Sequence, residues 1–442
     1  GNASGGRGAP KFKSKRQRAN SWSTDDADNP LGVPPAAEHL APASLAGRYL
    51  RWERVRGPGP GLSNLGNTCF LNSTMQCLAA LPPLVQYLES VGEDGGRNDL
   101  LGLIGGFMRK FGGTRSNAFA PKAIVGNLRR ISRNFKLGRQ EDAHEYLRQL
   151  LDGLHKSCLM RSGLKPTACG RREETSAMHR LFGGYLRSQL KCNDCAYCSN
   201  TYDACLDLSL EIHGKVSSLP SALEAFQAAE ILDKDNRWKC GGCNKLVRAR
   251  KQITVFRAPA VLCIQLKRFS FGFGGGFFGG GKITRFIPYP EVLTVDITGG
   301  RARREAVRYR LQGVVVHVGQ SVNVGHYFAY VRGANNLWYL KDDSSTQQVP
   351  RKEALSQKAY ILFYVRIADK NTQSSDEGDG GAKAPEKAPE AKKAKKAKPA
   401  PEAAPTPPPA PAPAPVAPAP APMRDEDFFV PAAAAAAAAK GA

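Results

Sequence analysis

Two complete Cys-x-x-Cys pairs constrain this chain more than any other feature: Cys192-Asn-Asp-Cys195 and Cys240-Gly-Gly-Cys243. The 44 residues 196–239 lie between them. Each pair sets two sulfurs at knuckle spacing, and two knuckles together make the tetrahedral four-sulfur set that Zn2+ prefers. Any fold of this chain must therefore bring two distant turns into contact. With all four positions filled by protein, the metal's role is structural. The runs after each pair, 199–212 and 245–256, read as the strands such a site would pin. Cys198 and Cys205 compete for a ligand position, but neither has a partner at knuckle spacing from the second pair.

Composition separates this centre from its ends. Residues 1–57 are rich in Gly, Arg, Ser, Pro and Ala, with no sustained apolar period. Residues 369–442 are mostly Lys, Ala, Pro and Glu. Both read as disordered, leaving one globular domain over 58–368. Much of the formal charge of +24 sits in runs at 11–18 and 392–398. Such runs serve nuclear import or non-specific contact with nucleic acid, or are simply solvated linker. Eleven cysteines without a signal-peptide pattern argue against a disulfide framework. No apolar run reaches eighteen residues, so no membrane span is expected. The first residue is Gly, so an N-terminal targeting segment could lie outside this sequence.

The stretch Gly61-Leu-Ser-Asn-Leu-Gly-Asn-Thr-Cys-Phe-Leu-Asn-Ser-Thr-Met-Gln-Cys-Leu78 begins as turn chemistry and continues as a helix. Asn64, Gly66 and Asn67 punctuate its first half. Leu71, Met75, Leu78 and Leu81 or Leu84 then form one apolar stripe, which Pro82-Pro83 ends. Cys69 falls in the first helical turn, where unpaired N–H groups and the helix dipole favour an anion. The thiolate is the nucleophilic form of cysteine, so this placement suits catalysis. Cys77 lies inside the helix and reads as a buried structural residue.

A thiol nucleophile needs a base. Among seven histidines, His326 opens the run Gly325-His-Tyr-Phe-Ala-Tyr-Val-Arg332, and a polar turn joins it to Leu337-Trp-Tyr-Leu-Lys-Asp-Asp343. The pattern predicts a hairpin. A loop over 333–336 sets His326 opposite Asp343, and a loop one residue longer is taken to bring Asp342 opposite. Spacing leaves both aspartates open. Either would fix the imidazole tautomer and stabilise the imidazolium. His317, in Gly313-Val-Val-Val-His-Val-Gly319, reads as a strand residue with no chemical role. In Gln140-Glu-Asp-Ala-His-Glu-Tyr-Leu147, Asp142 and Glu145 are three apart on one face of an opening helix, whose buried side carries Leu147, Leu150, Leu151 and Leu154.

Taken together, these boxes resemble the ubiquitin-specific proteases. Gly-Leu-x-Asn-Leu-Gly-Asn-Thr-Cys-Phe-Leu-Asn-Ser is similar to the family's cysteine box nearly residue for residue. The resemblance runs from about Gly61 to Ile367, takes in Leu266-Lys-Arg-Phe269 and the closing strand Tyr360-Ile-Leu-Phe-Tyr-Val365, and gives every box in family order. It implies an α+β, papain-like fold: a helical thumb carrying Cys69, a sheet palm carrying His326, and fingers pinned by zinc. It further implies Cys69 as nucleophile, Asn64 as oxyanion side chain, Asp342 as the orienting acid and Asp343 as an auxiliary near the oxyanion. Gln140, Asp142 and Glu145 match the Gln-x-Asp-x-x-Glu box, which lines the channel for ubiquitin's basic tail. The glycine-rich stretch 272–281 departs from the family in composition but occupies the place of a first blocking loop, with 320–325 the second.

The activity so implied is thiol-dependent hydrolysis of the isopeptide bond at ubiquitin's C-terminal glycine. Ubiquitin and ubiquitinated proteins are the partners, Zn2+ is the only cofactor, and no membrane is involved. The boxes look closest to the subgroup that includes nucleolar deubiquitinases, and the expected location is nucleus, nucleolus or cytoplasm. Three rivals are a dead ubiquitin binder, a protease for another ubiquitin-like modifier, and a nucleic-acid-binding protein. The joint presence of Cys69, His326, Asp342 and Asn64 argues against the first. The basic residues lie mainly in the tails, with no stacking-aromatic motif, which argues against the third.

Overall fold

The computed structural model describes residues 29–92, 99–165, 170–269, 282–298, 305–321 and 324–368. The chain divides into a unit from Gly1 to Asp376 and a second from Glu377 to Ala442, and every described residue belongs to the first. The basic runs at 11–18 and 392–398, the whole of 369–442 and the glycine-rich stretch 272–281 lie outside the described residues.

Helices gather in the first half of the domain. Cys69–Ala79 is followed by Pro82–Ser90, with proline at the start of the second helix. The prolines thus end one helix and open the next, since a missing N–H costs nothing at a helix start. Leu100–Gly113 and Ala143–Arg161 pack beside them, each opened by an aspartate: Asp99 accepts from Leu101 and Gly102 N–H, and Asp142 from His144 and Glu145 N–H. The stripe read from sequence is the buried one. Leu71, Met75, Leu78, Leu81 and Leu84 are all fully buried, as are Leu147, Leu150 and Leu154. Phe70 meets Tyr146 edge-on at 5.6 Å, joining the two principal helices.

Two larger sheets complete the architecture, beside two two-stranded pairs, Gly61–Leu62 with Ala118–Phe119 and Trp238–Lys239 with Leu246–Val247. The larger, of eight strands, runs in the order Ser345–Val349, Trp338–Asp342, Val324–Arg332, Glu305–Ser321, Ala359–Arg366, Val261–Leu266 and Leu208–Leu210, with Val292–Ile297 paired to the start of the long strand. One face packs against the helices, and the other against a second core that includes Ile264, Tyr309 and Leu362. The smaller sheet, Cys198–Cys205, Gly184–Cys192, Ala249–Arg257 and Ala229–Leu232, carries the cysteine knuckles at its end. Helical thumb, sheet palm and cysteine-tipped fingers are all present.

The expectation that 1–57 is disordered is corrected over 29–57. Leu45, Tyr49 and Leu50 join the main core, and Leu31 packs with Tyr185 and Phe256 at the base of the fingers. The Leu40 N–H donates to Thr175 Oγ1 at 3.0 Å and the Glu53 N–H to Gln86 Oε1 at 2.9 Å. The only α-helix of this strap is the four residues Leu45–Arg48. An extended strap takes its apolar spacing from the surface beneath it, so no helix or strand period marks it in the sequence.

Candidate active site

Cys69 is the first residue of its helix and is 2% exposed. Thr68 precedes it without capping the helix through its side chain. The first-turn N–H groups therefore lack both intrahelical acceptors and a side-chain cap, which leaves them for an anion at the thiol. Asn64 shapes the turn before the helix: its Oδ1 accepts from the Gly66 N–H at 3.1 Å and the Thr68 N–H at 3.0 Å. Its Nδ2 donates to Asp343 Oδ2 at 2.9 Å, which uses one of its two amide protons and leaves the other for a ligand.

His326 lies on the strand Val324–Arg332, and its Nε2 meets Asp342 Oδ1 at 2.6 Å. With Nε2 so engaged, Nδ1 is the ring nitrogen left for the thiol. The hydrogen bond to the Cys69 side chain is the largest influence holding His326 up at about 9; its bond and charge interaction with Asp342 add to this, and burial opposes it. The His326 and Asp342 side chains are 42% and 45% exposed, so solvent screens the pair and its contribution to stability is small beside its role in orientation.

The hairpin differs from the expectation in register. Arg332 pairs with Trp338, so the loop is 333–337, and the ladder is formed as far as Ala329 with Lys341. Continued to His326, that register runs to residue 344 and not to Asp342. Asp342 reaches the ring because its strand ends there, turning through Asp343 and Ser344 to Ser345. Asp343 takes a positive φ of 42° in this turn and faces the helix that begins at Cys69. It accepts from Asn64 through Oδ2 and from Asn72 Nδ2 through Oδ1 at 2.8 Å, while its carbonyl accepts from the Leu62 N–H. Gly61 permits the close approach: a Cβ there would lie 2.1 Å from the Ser344 carbonyl oxygen.

Two residues of this arrangement were not singled out from sequence. Asn72, buried and donating to both Leu62 O and Asp343, ties the helix to the turn. Its available signal was a polar side chain three residues after Cys69 in a buried helix. Lys341 is 1% exposed, and its Nζ donates to Gly59 O at 2.7 Å and Thr346 Oγ1 at 3.0 Å, joining the strand of Asp342 to the segment before Gly61. Burial pushes Lys341 down to about 7.

Each side chain of the Gln-x-Asp-x-x-Glu box has a partner within the domain. Gln140 spends both ends of its amide on one residue: Nε2 donates to Gly325 O at 2.7 Å and Oε1 accepts the Gly325 N–H at 2.9 Å. Asp142 is the helix cap, and its Oδ2 accepts from Tyr360 OH at 2.6 Å. Glu145 accepts from Gln149 Nε2 at 2.8 Å and is half-buried. As the cap, Asp142 also accepts from the Glu145 N–H at 2.8 Å, so the two carboxylate residues lie next to each other at the start of the helix.

At the end of the fingers, the sulfurs of Cys192, Cys195, Cys240 and Cys243 all lie within 4.8 Å of one another. Cys195 and Cys240 are 3.6 Å apart, near the roughly 3.8 Å that four thiolates about 2.3 Å from a tetrahedral metal would show. Backbone N–H groups of Asp194 and Cys195 point at Cys192 Sγ, and that of Gly242 at Cys240 Sγ. Such donors favour thiolates, so the donor set fits a metal such as zinc. Cys198 Sγ faces the Ala196 carbonyl and Cys205 lies at the other end of its strand, so neither competitor joins the group. No helix among the described residues is long and apolar enough to cross a membrane.

Residues 60–364 match the family model described as ubiquitin carboxyl-terminal hydrolase. A Schizosaccharomyces pombe protein named for ubiquitin carboxyl-terminal hydrolase 16 is 39% identical over 361 residues, covering 79% of this chain and 74% of that protein. Ubiquitin carboxyl-terminal hydrolase 42 of Homo sapiens is 36% identical over 342 residues, covering 76% of this chain and 25% of that protein. Ubiquitin carboxyl-terminal hydrolase 23 of Arabidopsis thaliana is 42% identical over 318 residues, covering 70% and 35%. The chain thus spans only about a quarter to a third of the length of the last two. Among solved structures, the SAGA DUB module bound to ubiquitin aldehyde is similar with a TM-score of 0.62 and 27% identity, over 72% of this chain and 71% of that one.

Proposed function

The chain belongs to the ubiquitin carboxyl-terminal hydrolase family, and on that premise we propose that it is a cysteine-type deubiquitinase acting on ubiquitinated proteins. The observation that carries this reading is His326 held between the Cys69 thiol and Asp342, contacts that raise its imidazole to about 9. In the proposed reaction, Cys69 Sγ as thiolate attacks the carbonyl carbon of ubiquitin's terminal glycine. The developing oxyanion is met by the remaining Asn64 amide proton and the first-turn N–H groups of the nucleophile helix. His326, as imidazolium, gives its proton to the departing lysine amine. A thioester joins Cys69 to ubiquitin. Water, deprotonated by the now neutral His326, attacks the thioester carbonyl, and the thiolate leaves. Asp342 orients the ring throughout, and Asp343 holds the Asn64 amide.

Zinc at Cys192, Cys195, Cys240 and Cys243 would fix the end of the fingers and take no part in the chemistry. Nuclear location and loose polyanion contact belong to this reading on the strength of the two basic runs alone. The deciding test is labelling by ubiquitin with a C-terminal electrophile, read by mass. A one-ubiquitin adduct on the parent and none on Cys69→Ala is the expected result. A folded parent without an adduct would remove the reading, and an adduct with a different modifier probe alone would replace ubiquitin as the substrate.

A further inference from the structure

His326 follows a glycine whose surroundings are unusually built up. On one side Gln140 pairs with both backbone polar groups of Gly325. On the other, His317 Nε2 approaches so closely that a Cβ on Gly325 would lie 2.4 Å from it. His317 is 4% exposed and wedged between Phe269 and Tyr327, with ring centroids at 5.5 and 4.4 Å. Its Nδ1 receives a hydrogen bond from Lys282 Nζ at 2.9 Å. The same ammonium donates to the carbonyls of His317 and Gly319, each at 2.8 Å. Those carbonyls flank Val318, which is the residue paired with His326 across the sheet.

We propose that Lys282, acting through His317, and Gln140 form a two-sided brace that positions His326, so that Lys282 is a positioning residue for catalysis. The inference rests on His326 being the acid and base of the proposed reaction. Its physical logic is close packing on an anchored ring. An ammonium donor at Nδ1 makes that nitrogen the acceptor and fixes the ring, while Nε2, which has no hydrogen-bond partner, meets Gly325 by packing alone. Burial is the largest influence depressing His317, to about 4, so the ring stays neutral through the working range. Lys282 is pushed down to about 8, by burial first and then by Arg268 and Lys358, so its charge is present below that pH. Beside it stand His317, Arg268, Lys358 and the face of Phe269. Around His326 stand Cys69, Asp342, Asp343 and His317. Two glycines, Gly319 and Gly325, enter this end of the hairpin with little restraint of their own. Without the brace the hairpin end is expected to fray, and a displacement of about 1 Å at a catalytic group can cost on the order of 100-fold in rate.

The test uses the full chain with ubiquitin carrying a C-terminal fluorogenic amide. Lys282→Met, Lys282→Arg and Gln140→Leu are compared with the parent in kcat, KM, melting temperature and pH profile. Lys282→Met and Gln140→Leu are expected to lower kcat about 10-fold or more with KM within about twofold, and to move the alkaline midpoint below the parent's value. Lys282→Arg, which keeps donors at the site, is expected to recover most of kcat. A folded variant with parental kcat and midpoint overturns the brace. So does a loss confined to KM, which would make these residues contacts of the ubiquitin tail instead. If Lys282→Met does not fold, Gln140→Leu and Lys282→Arg decide the matter on the same readouts. A parent with no turnover at all would count against the deubiquitinase reading, whereas a working parent with unaffected variants counts against the brace alone.

Discussion

The acid that serves His326 is chosen by side-chain reach, and the two neighbouring aspartates divide the work. Asp342 meets the imidazole, while Asp343 spends both oxygens on Asn64 and Asn72. The pH behaviour of His326 follows from its hydrogen bond with Cys69 first and from its contact with Asp342 after that. A histidine raised by its partners contributes stability in full below its ordinary value near 6.5, and that contribution is lost as pH climbs through the folded value of about 9. Hydrolysis of a ubiquitin C-terminal amide should fall through the same range as the imidazolium that protonates the leaving amine disappears. Asp342→Asn keeps an acceptor but removes the charge, so His326 should titrate lower. The expected outcome is an alkaline limb shifted to lower pH in the rate of ubiquitin amide hydrolysis measured against pH. A limb unmoved from the parent's would show that Asp342 does not set the acidity of His326.

At the scale of elements, the fingers depend on how their strands are tied at the far end. The strands Gly184–Cys192 and Ala249–Arg257 pair from Tyr185 with Arg257 to Cys192 with Ala249, so the first knuckle emerges where this ladder stops, and the second lies in the turn between Trp238–Lys239 and Leu246–Val247. Backbone there turns through Ala196 and Asn244, both at positive φ, and each turn is closed within itself, by Cys192 N–H to Tyr197 O and Cys240 N–H to Lys245 O, both at 2.9 Å. A tetrahedral metal at the four cysteines would tie the two turns to each other. The parent should therefore carry about one zinc per chain by elemental analysis, and Cys240→Ser should lose it. The variant should also become susceptible to limited proteolysis within 192–243 while cleavage elsewhere stays unchanged. Metal content equal in parent and variant would place the zinc elsewhere or remove it from the account.

For the molecule as a whole, the strap over 29–57 joins parts that the sequence keeps far apart. Leu31 reaches the base of the fingers, Leu45 and Leu50 enter the thumb's core, and the Arg366 guanidinium at the end of the last strand points to the Ala46 carbonyl. Each fully buried side chain of this size contributes roughly 1.5–3 kcal/mol. A chain beginning at Pro58 should therefore unfold at lower urea, with a loss of about 3 kcal/mol or more relative to one beginning at Asn29. Equal midpoints for the two would mean that the strap rests on the domain without supporting it.

The sequence by itself determined what is local or repeats at a fixed interval. The knuckle spacing of Cys192, Cys195, Cys240 and Cys243, the helix opening at Cys69, and the hairpin of His326 could be read because capping, turn formation and side-chain periodicity act over a few residues. The order of boxes then carried the family and with it the thumb, palm and fingers. Tertiary structure alone decided which polar groups meet across the chain. Asp343 finds Asn64 and Asn72 at separations of 279 and 271 residues, and Gln140 finds Gly325 at 185. These contacts are fixed by the stacking of the helices on the sheet, by a strand that stops at Asp342, and by the bare Cα of Gly61 against Ser344. The strap was hidden for the same reason: its apolar residues are spaced by the surface they cover and not by any backbone period.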